Sequence, residues 1–360
     1  MTDHLRHVLI GDGESPHLLK WACVLADHVE LHIASTRGFA AGFDGVVPVS
    51  RRLALNTRPA VEGGNIGVLH TLPRLAHWLR SVDADRIHAH YISSHGTLAW
   101  LAKRLYRLRA QLVSSAWGSD ILVAPERSAA LRWVTSRVLR ASVLSTSDSA
   151  HMAARMRALG AREVMVFPFG LDALPPEDDA KSEHLVFANR LLEPLYAPHR
   201  TLDVFAAAAQ VWPDAELVVA NEGSLRGALQ HAAASAPWGA RVRFVGRLDA
   251  TAQERWYRKA RWYLSLPASD SVSVSVLEAM AHGCVPVLSD LPANRELVQD
   301  GVNGLIAGTD AAAVAAAMRT IAARAPQIAQ ANRLWIGEHA IFPQAVARFL
   351  ARLSELERLR

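Results

Sequence analysis

Short runs of β-branched and apolar residues alternate with longer Ala-, Leu- and Arg-rich segments of helical periodicity, and the alternation runs through the chain twice. That pattern is the mark of βαβ units, whose parallel sheets are covered by helices. The first series places strands at His7–Ile10, Val29–Ala34, Arg86–Tyr91, Gln111–Ser115, Val143–Thr146 and Val164–Phe167. The second places them at Leu185–Ala188, Glu216–Ala220, Val242–Val245, Trp262–Leu266 and Val285–Ser289. Between the two lies GLDALPPEDDAKSEH, Gly170–His184, with paired prolines, a cluster of acids and almost no apolar periodicity, which reads as an interdomain linker. The expected organisation is an α/β chain of two Rossmann-like domains, 1–172 and 185–340, joined by a linker at 173–184. The amphipathic helix of 341–360 has no strand after it and is expected to dock on something already folded. Two such domains in series imply a cleft into which the C-terminal ends of both parallel sheets face.

Composition excludes classes more than it chooses one. With 51% hydrophobic and 20% charged residues the chain has the make-up of full-sized cores, which rules out disorder and coiled coil. Its longest apolar runs, such as Val285-Pro286-Val287-Leu288, fall far short of the ~20 residues a spanning helix needs. The start, MTDHLRHVLIGDG, is unlike a secretory signal, so a cytoplasmic location is expected. Cys23 and Cys284 show no CxxC or Cys/His spacing, which argues against a disulfide framework or a structural zinc. The net charge of +5 is uneven, since residues 1–172 carry 20 Lys/Arg against 14 Asp/Glu. Much of the excess lies in KRLYRLR, Lys103–Arg109, and in Arg127, Arg132, Arg137 and Arg140, interleaved with Leu, Trp and Tyr at helical spacing. This fits a solvated helix face, or attraction to an anionic membrane surface or a phosphorylated acceptor. No recognition motif for nucleic acid accompanies it.

The most informative stretch is Leu264–Gly308, LSLPASDSVSVSVLEAMAHGCVPVLSDLPANRELVQDGVNGLIAG. A buried strand leads into a Ser-rich turn, and a helix starts near Val274 and stops at Gly283, a natural left-handed cap. Ser271, Val272, Ser273, Val274 and Ser275 therefore crowd a helix N-terminus, where unbonded amides and the dipole favour an anion such as a diphosphate. Asp270 and Glu278 flank it, eight positions apart. A carboxylate repels bound phosphate, so these acids are read as accepting hydrogen bonds from sugar hydroxyls on either side, or else as stabilising the helix start.

The stretch resembles the donor-binding region of retaining glycosyltransferases of family four, in the two-domain GT-B class (glycosyl transferases group 1). That family has two acids eight apart, a helix with LEAMA, a glycine, an apolar strand ending Ser-Asp, then Pro, Glu and a Gly-Asn-Gly turn. The matching positions here are Asp270, Glu278 within Leu277–Ala281, Gly283, Ser289-Asp290, Pro292, Glu296 and Gly301–Gly304. Upstream, FANRL at Phe187–Leu191 resembles the family's VGRL and puts Arg190 where an arginine contacts the donor diphosphate. The turn Asn221-Glu222-Gly223 resembles the family's next glycine turn and is counted with the donor side. The resemblance implies transfer of a sugar from a nucleoside diphosphate sugar with retention, without metal or other cofactor, to a glycan or lipid-linked acceptor in polysaccharide or glycoconjugate synthesis. It implies that Asp270 meets the donor sugar, Glu278 the ribose, and Arg190 the departing diphosphate, and that the terminal helix of 341–360 packs back on the first domain.

The sequence departs from the family pattern in three places. The first acid is Asp rather than Glu; Leu195 and Tyr196 stand where a lysine often follows Arg190, leaving His199 or Arg200 to reach in; and Trp117 in AWGSD, Ala116–Asp120, replaces a histidine. Two readings rival transfer: a nucleotide-sugar-binding homologue without turnover, and a nucleotide-sugar epimerase of the same architecture. In the N-terminal half, Gly13 in the loop GDGESPH lets backbone approach donor phosphate or acceptor, while His17, His90, Trp117 and Asp120 are the acceptor-side candidates, Asp120 alternatively as a helix cap. His88, His90 and His95 are read as packed residues rather than a metal set, and Asp83-Ala84-Asp85 as a turn or helix cap because it precedes a strand.

Overall fold

In the computed structural model residues 5–57, 66–177 and 181–359 are described, so residues 178–180 of the expected linker lie outside them. The chain divides into two units, Met1–Phe167 with Pro343–Arg360, and Pro168–Phe342.

Among the described residues, the first unit is built on a parallel sheet of β1 (Arg6–Gly11), β2 (Glu30–Ser35), β3 (Arg52–Ala54), β4 (Arg86–His90), β5 (Gln111–Ser115), β6 (Leu144–Ser147) and β7 (Val164–Val166). Its order is β3-β2-β1-β4-β5-β6-β7. Strands buried on both faces cannot alternate in polarity, which is why β4 is buried throughout although it carries Arg86, His88 and His90. The Arg86 guanidinium is neutralised by Glu357, at 2.7 and 2.6 Å, from the helix Phe342–Arg358. Phe349 of the same helix packs on Trp21 and His88, each with ring centroids 5.3 Å apart. The amphipathic tail is thus held by a buried bidentate ion pair and an aromatic contact, and it clusters with this unit.

The second unit, again among the described residues, is a parallel sheet of β8 (Ser182–Ala188), β9 (Glu216–Ala220), β10 (Val242–Gly246), β11 (Ala260–Ser265), β12 (Val285–Ser289) and β13 (Leu305–Ala307), in the order β10-β9-β8-β11-β12-β13. β8 begins three residues ahead of its expected start because Glu183 pairs with Arg261 at 2.6 Å and takes the Trp262 indole N–H on its carbonyl at 3.0 Å. The structure adds two edge strands, β3 and β13, each too short for any periodicity to announce. β13 can lie beside β12 because Gly304 has no Cβ: one there would sit 2.8 Å from Pro286. After β13 the chain forms two further helices, Ala311–Ile321 and Ala325–His339.

Candidate functional site

Each sheet reverses its strand order once, between β1 and β4 in the first unit and between β8 and β11 in the second. Such a switch point splays the loops that leave the strands' C-terminal ends and opens a crevice there. In the second unit the two loops are Asn189–Leu191 after β8 and Leu266–Ser273 after β11. Arg190 and Asp270 lie on these loops, which makes their convergence a consequence of topology.

The Arg190 guanidinium pairs with Asp270 at 2.7 Å and donates to the hydroxyls of Ser273 and of Ser275, the latter at 3.2 Å. The Tyr196 ring lies beneath it at 4.7 Å. Arg190 and Asp270 keep 17% and 24% of their side chains exposed, so the pair is mostly desolvated yet reachable. Burial lifts the Asp270 carboxyl above its ordinary range, against the opposing pull of Arg190 and the Ser271 amide.

The helix Val274–Ala281 is fixed by burial of Val276, Leu277 and Met280, each contributing about 1.5–3 kcal/mol. Its N-cap, Ser273, has the extended backbone of a cap but makes no side-chain capping bond. The hydroxyl that would serve the helix amides is turned toward Arg190 and Ser275 instead. Guanidinium and helix dipole thus bring positive potential to one spot. Ser271 is buried, its amide bonded to Asp270 at 3.0 Å, and Val272 packs into the apolar core beneath.

Glu278, one turn into the helix, accepts from Tyr257 Oη at 3.0 Å and from Gln253 Nε2 at 3.2 Å. Tyr257 also receives Asn189 Nδ2 at 2.8 Å, and Asn189 Oδ1 lies 2.5 Å from Tyr263 Oη. Sequence reasoning missed Asn189, Tyr257, Tyr263 and Tyr196, because each reads as core or turn until the strands are paired. The only signal was Asn in FANRL where the resembling pattern has glycine. Glu222 pairs with Arg226 at the end of β9. Arg200 is spent on the carbonyls of Ala307 and Gly308, at 3.3 and 2.8 Å, so it does not replace the clamp lysine, and His199 is exposed.

In the first unit the candidates gather at the ends of β1, β4 and β5. Trp117 stacks on Tyr91, with ring centroids 6.0 Å apart, and meets the His17 ring at a tilt of 32° and 4.4 Å. Trp117 Nε1 donates to His90 Nδ1 at 3.2 Å. Gly13 is required by the chain itself: a Cβ there would stand 2.4 Å from the Gly38 carbonyl, and its amide is bound to Ser35 Oγ at 2.8 Å. Asp120 is buried and accepts from the amides of Ile92 and Trp117 at 2.7 and 2.9 Å, so it ties two loops together. Asp83 ends the helix Leu72–Val82 in a left-handed conformation and pairs with Arg6 at 2.9 Å, and Asp85 accepts the Arg6 amide at 2.8 Å. Among the described residues no group of three or more His, Cys, Asp or Glu is arranged to hold a metal ion.

Burial holds four histidines of this unit neutral: His7 down to about 3, His95 to about 4, and His88 and His90 well below the usual range. Above the unfolded value of ~6.5 they cost nothing; below it the unfolded chain takes up protons that the fold refuses. Asp120, raised by burial to about 6, opposes them by one proton between that value and its unfolded range. The histidines outnumber that opposing carboxyl, so stability is lost as the pH falls below ~6.5. The melting temperature is therefore expected to fall steeply between pH 6.5 and 5; a flat profile across that interval would contradict the buried, neutral assignment.

Comparison with known proteins adds two family models and a set of similar structures. Residues 8–162 match the model described as glycosyl transferase 4-like, and residues 182–324 the model of glycosyl transferases group 1. A phosphatidyl-myo-inositol mannosyltransferase of Mycobacterium tuberculosis is 29% identical over 167 residues, which is 43% of this chain and 42% of the relative, so less than half of that protein's length is matched. Anabaena HepE, solved with UDP-glucose, superposes with a TM-score of 0.79 at 16% identity, over 98% of this chain and all of the other. Sucrose-phosphate synthase of Thermosynechococcus elongatus gives 0.74 at 14% identity over 99% of this chain and all of that one. At such identities these two report the fold, GT-B, with its paired Rossmann-like domains.

Proposed function

The chain belongs to the group 1 glycosyltransferases, and from that premise we propose that it moves a sugar from a nucleoside diphosphate sugar to a glycan or lipid-linked acceptor, with retention of configuration and without a metal. The observation that carries this reading is the switch-point cluster of the second unit, where one guanidinium is held by Asp270, Ser273 and Ser275 at an uncapped helix start. In that reading Arg190 and the helix amides take the diphosphate, with Glu222 at the donor-side turn. Asp270 accepts from the sugar hydroxyls and Glu278 from the ribose hydroxyls. Negative charge grows on the diphosphate as the glycosidic bond breaks, and donors fixed in advance stabilise it most where water is excluded. The departing phosphate oxygen receives the proton of the acceptor hydroxyl, so no protein nucleophile is needed. His17 and Trp117 stand on the acceptor side, with His90 buried behind Trp117 and bonded to its indole.

The relatives support the choice of substrates, since one carries a phosphatidylinositol mannosyltransferase name and another was solved with UDP-glucose. A lipid-linked acceptor on an anionic membrane is also favoured by the helix Ala129–Ala141. There Trp133 is 54% exposed beneath Arg137 at 5.1 Å, and Leu105, inside the basic run Lys103–Arg109, is 62% exposed. No helix among the described residues is long and apolar enough to cross a membrane.

The test is incubation with UDP-, GDP-, ADP- and TDP-sugars, with and without chelator and with anionic vesicles. Slow release of nucleoside diphosphate, insensitive to chelator and faster on vesicles, is the expected result. Binding without release would favour a non-catalytic homologue, and loss with chelator would remove the metal-free mechanism.

A further inference from the structure

The side chain of Asn189 joins the two ends of the candidate donor site, and the resembling VGRL pattern has no side chain at that position. From Glu278 to Arg190 the hydrogen bonds are ordered in one way only. A carboxylate accepts and cannot donate, so Tyr257 gives its single O–H to Glu278, at 3.0 Å. Tyr257 must then accept from Asn189 Nδ2, at 2.8 Å, which turns Asn189 Oδ1 toward Tyr263 to accept its O–H at 2.5 Å. With its proton spent, Tyr263 accepts from Ser275, at 2.9 Å. Ser275 accepts in turn from Ser273 at 2.8 Å and from Arg190 at 3.2 Å. The guanidinium at this end only donates. The chain therefore runs from a pure donor to a pure acceptor and is polarised along its whole length, each bond reinforcing the next. Asn189, Tyr257 and Tyr263 are buried, so water does not replace a broken link. Asn221 Nδ2 holds the Asn189 carbonyl at 2.6 Å and fixes the turn from which the amide projects.

The geometry points to Asn189 as a positioning residue that couples the Arg190 end of the site to the Glu278 end. This inference rests on the donor-site reading above. A diphosphate on Arg190 competes with Ser273 and Ser275 for the guanidinium and so changes the first link. The change reaches Glu278 through Tyr263, Asn189 and Tyr257. The coupling is reciprocal, so a ribose hydroxyl on Glu278 alters the hold on the diphosphate by the same factor.

A double-mutant cycle tests this. Arg190→Lys, Glu278→Gln and their combination are made in the wild-type chain and again with Asn189→Gly, the residue of the resembling pattern. Affinity is measured by calorimetry with UDP and GDP and with UMP and GMP, and turnover by donor hydrolysis. In the wild-type chain the combined loss is expected to depart from the product of the single losses by about tenfold, whereas with Asn189→Gly the losses multiply as at independent sites. Asn189→Gly alone is expected to lower kcat several-fold with nucleoside monophosphate affinity nearly unchanged. Tyr263→Phe cuts the same chain without altering a backbone position and should abolish the coupling equally, which guards against a glycine variant that fails to fold. If coupling survives both cuts while donors still bind and turn over, the inference is overturned and the donor-site reading stands. If the wild-type chain binds neither nucleotide and hydrolyses no donor, both fall.

Discussion

Glu278→Ala is expected to abolish turnover. The carboxylate accepts from Tyr257 and Gln253, which fix its orientation at the start of the helix. In the proposed reaction it holds the ribose, and losing that grip lets the donor shift relative to Arg190, where displacements of about 1 Å cost on the order of a hundredfold. Truncation also strands the buried Tyr257 O–H, at about 1–3 kcal/mol. Glu278→Gln separates the two effects: its amide oxygen still accepts from Tyr257, so the melting temperature should return toward wild type while turnover stays low. Measuring both variants decides the matter. An alanine variant that turns over at the wild-type rate would remove Glu278 from the mechanism.

Arg190→Ala is the second large effect. The guanidinium serves Asp270, two serine hydroxyls and the Tyr196 face at once. Loss of one preorganised donor to a developing anion typically lowers kcat about 10²–10³-fold. Because the charge on the leaving diphosphate grows during the reaction, kcat is expected to fall further than donor affinity. Arg190→Lys should rescue little, since an ammonium lacks the planar fork that reaches a carboxylate and the serines together. Removing the cation also leaves Asp270 partly buried without its partner, worth about 1–2 kcal/mol of stability given that some of the carboxylate meets water. Equal losses in affinity and kcat would reduce Arg190 to a binding residue.

How the site residues were found differs from one to the next. Asp270 and Glu278 were legible because a spacing of eight across a turn and a helix start survives in one dimension, as does the helix stop at Gly283, whose φ of 76° suits a residue without a Cβ. Arg190 was found only through the resemblance of FANRL to a known turn. Its approach to Asp270 depends on β8 and β11 being neighbours, with Tyr263 opposite Phe187 in the register. His90 looked like a residue aimed at a ligand from the end of a strand. In the fold it is buried beside Trp21 and Trp117, and Asp120 is taken up by two amides. A histidine on a strand reads the same in both situations, since burial is a property of what packs over it.

The sequence alone determined the α/β class, the two series of strands and the acids flanking the serine-rich helix start, because periodicity and spacing are local properties of the chain. Tertiary structure decided which loops meet. The reversal of strand order at β8 and β11 brings Arg190 to Asp270, and packing of the helix Ala250–Lys259 on the sheet buries Tyr257 with Asn189 and Tyr263 as one hydrogen-bonded chain. Those contacts join residues from separate strands and loops, and hydrogen-bond geometry exists only once the sheet has set the distances between them.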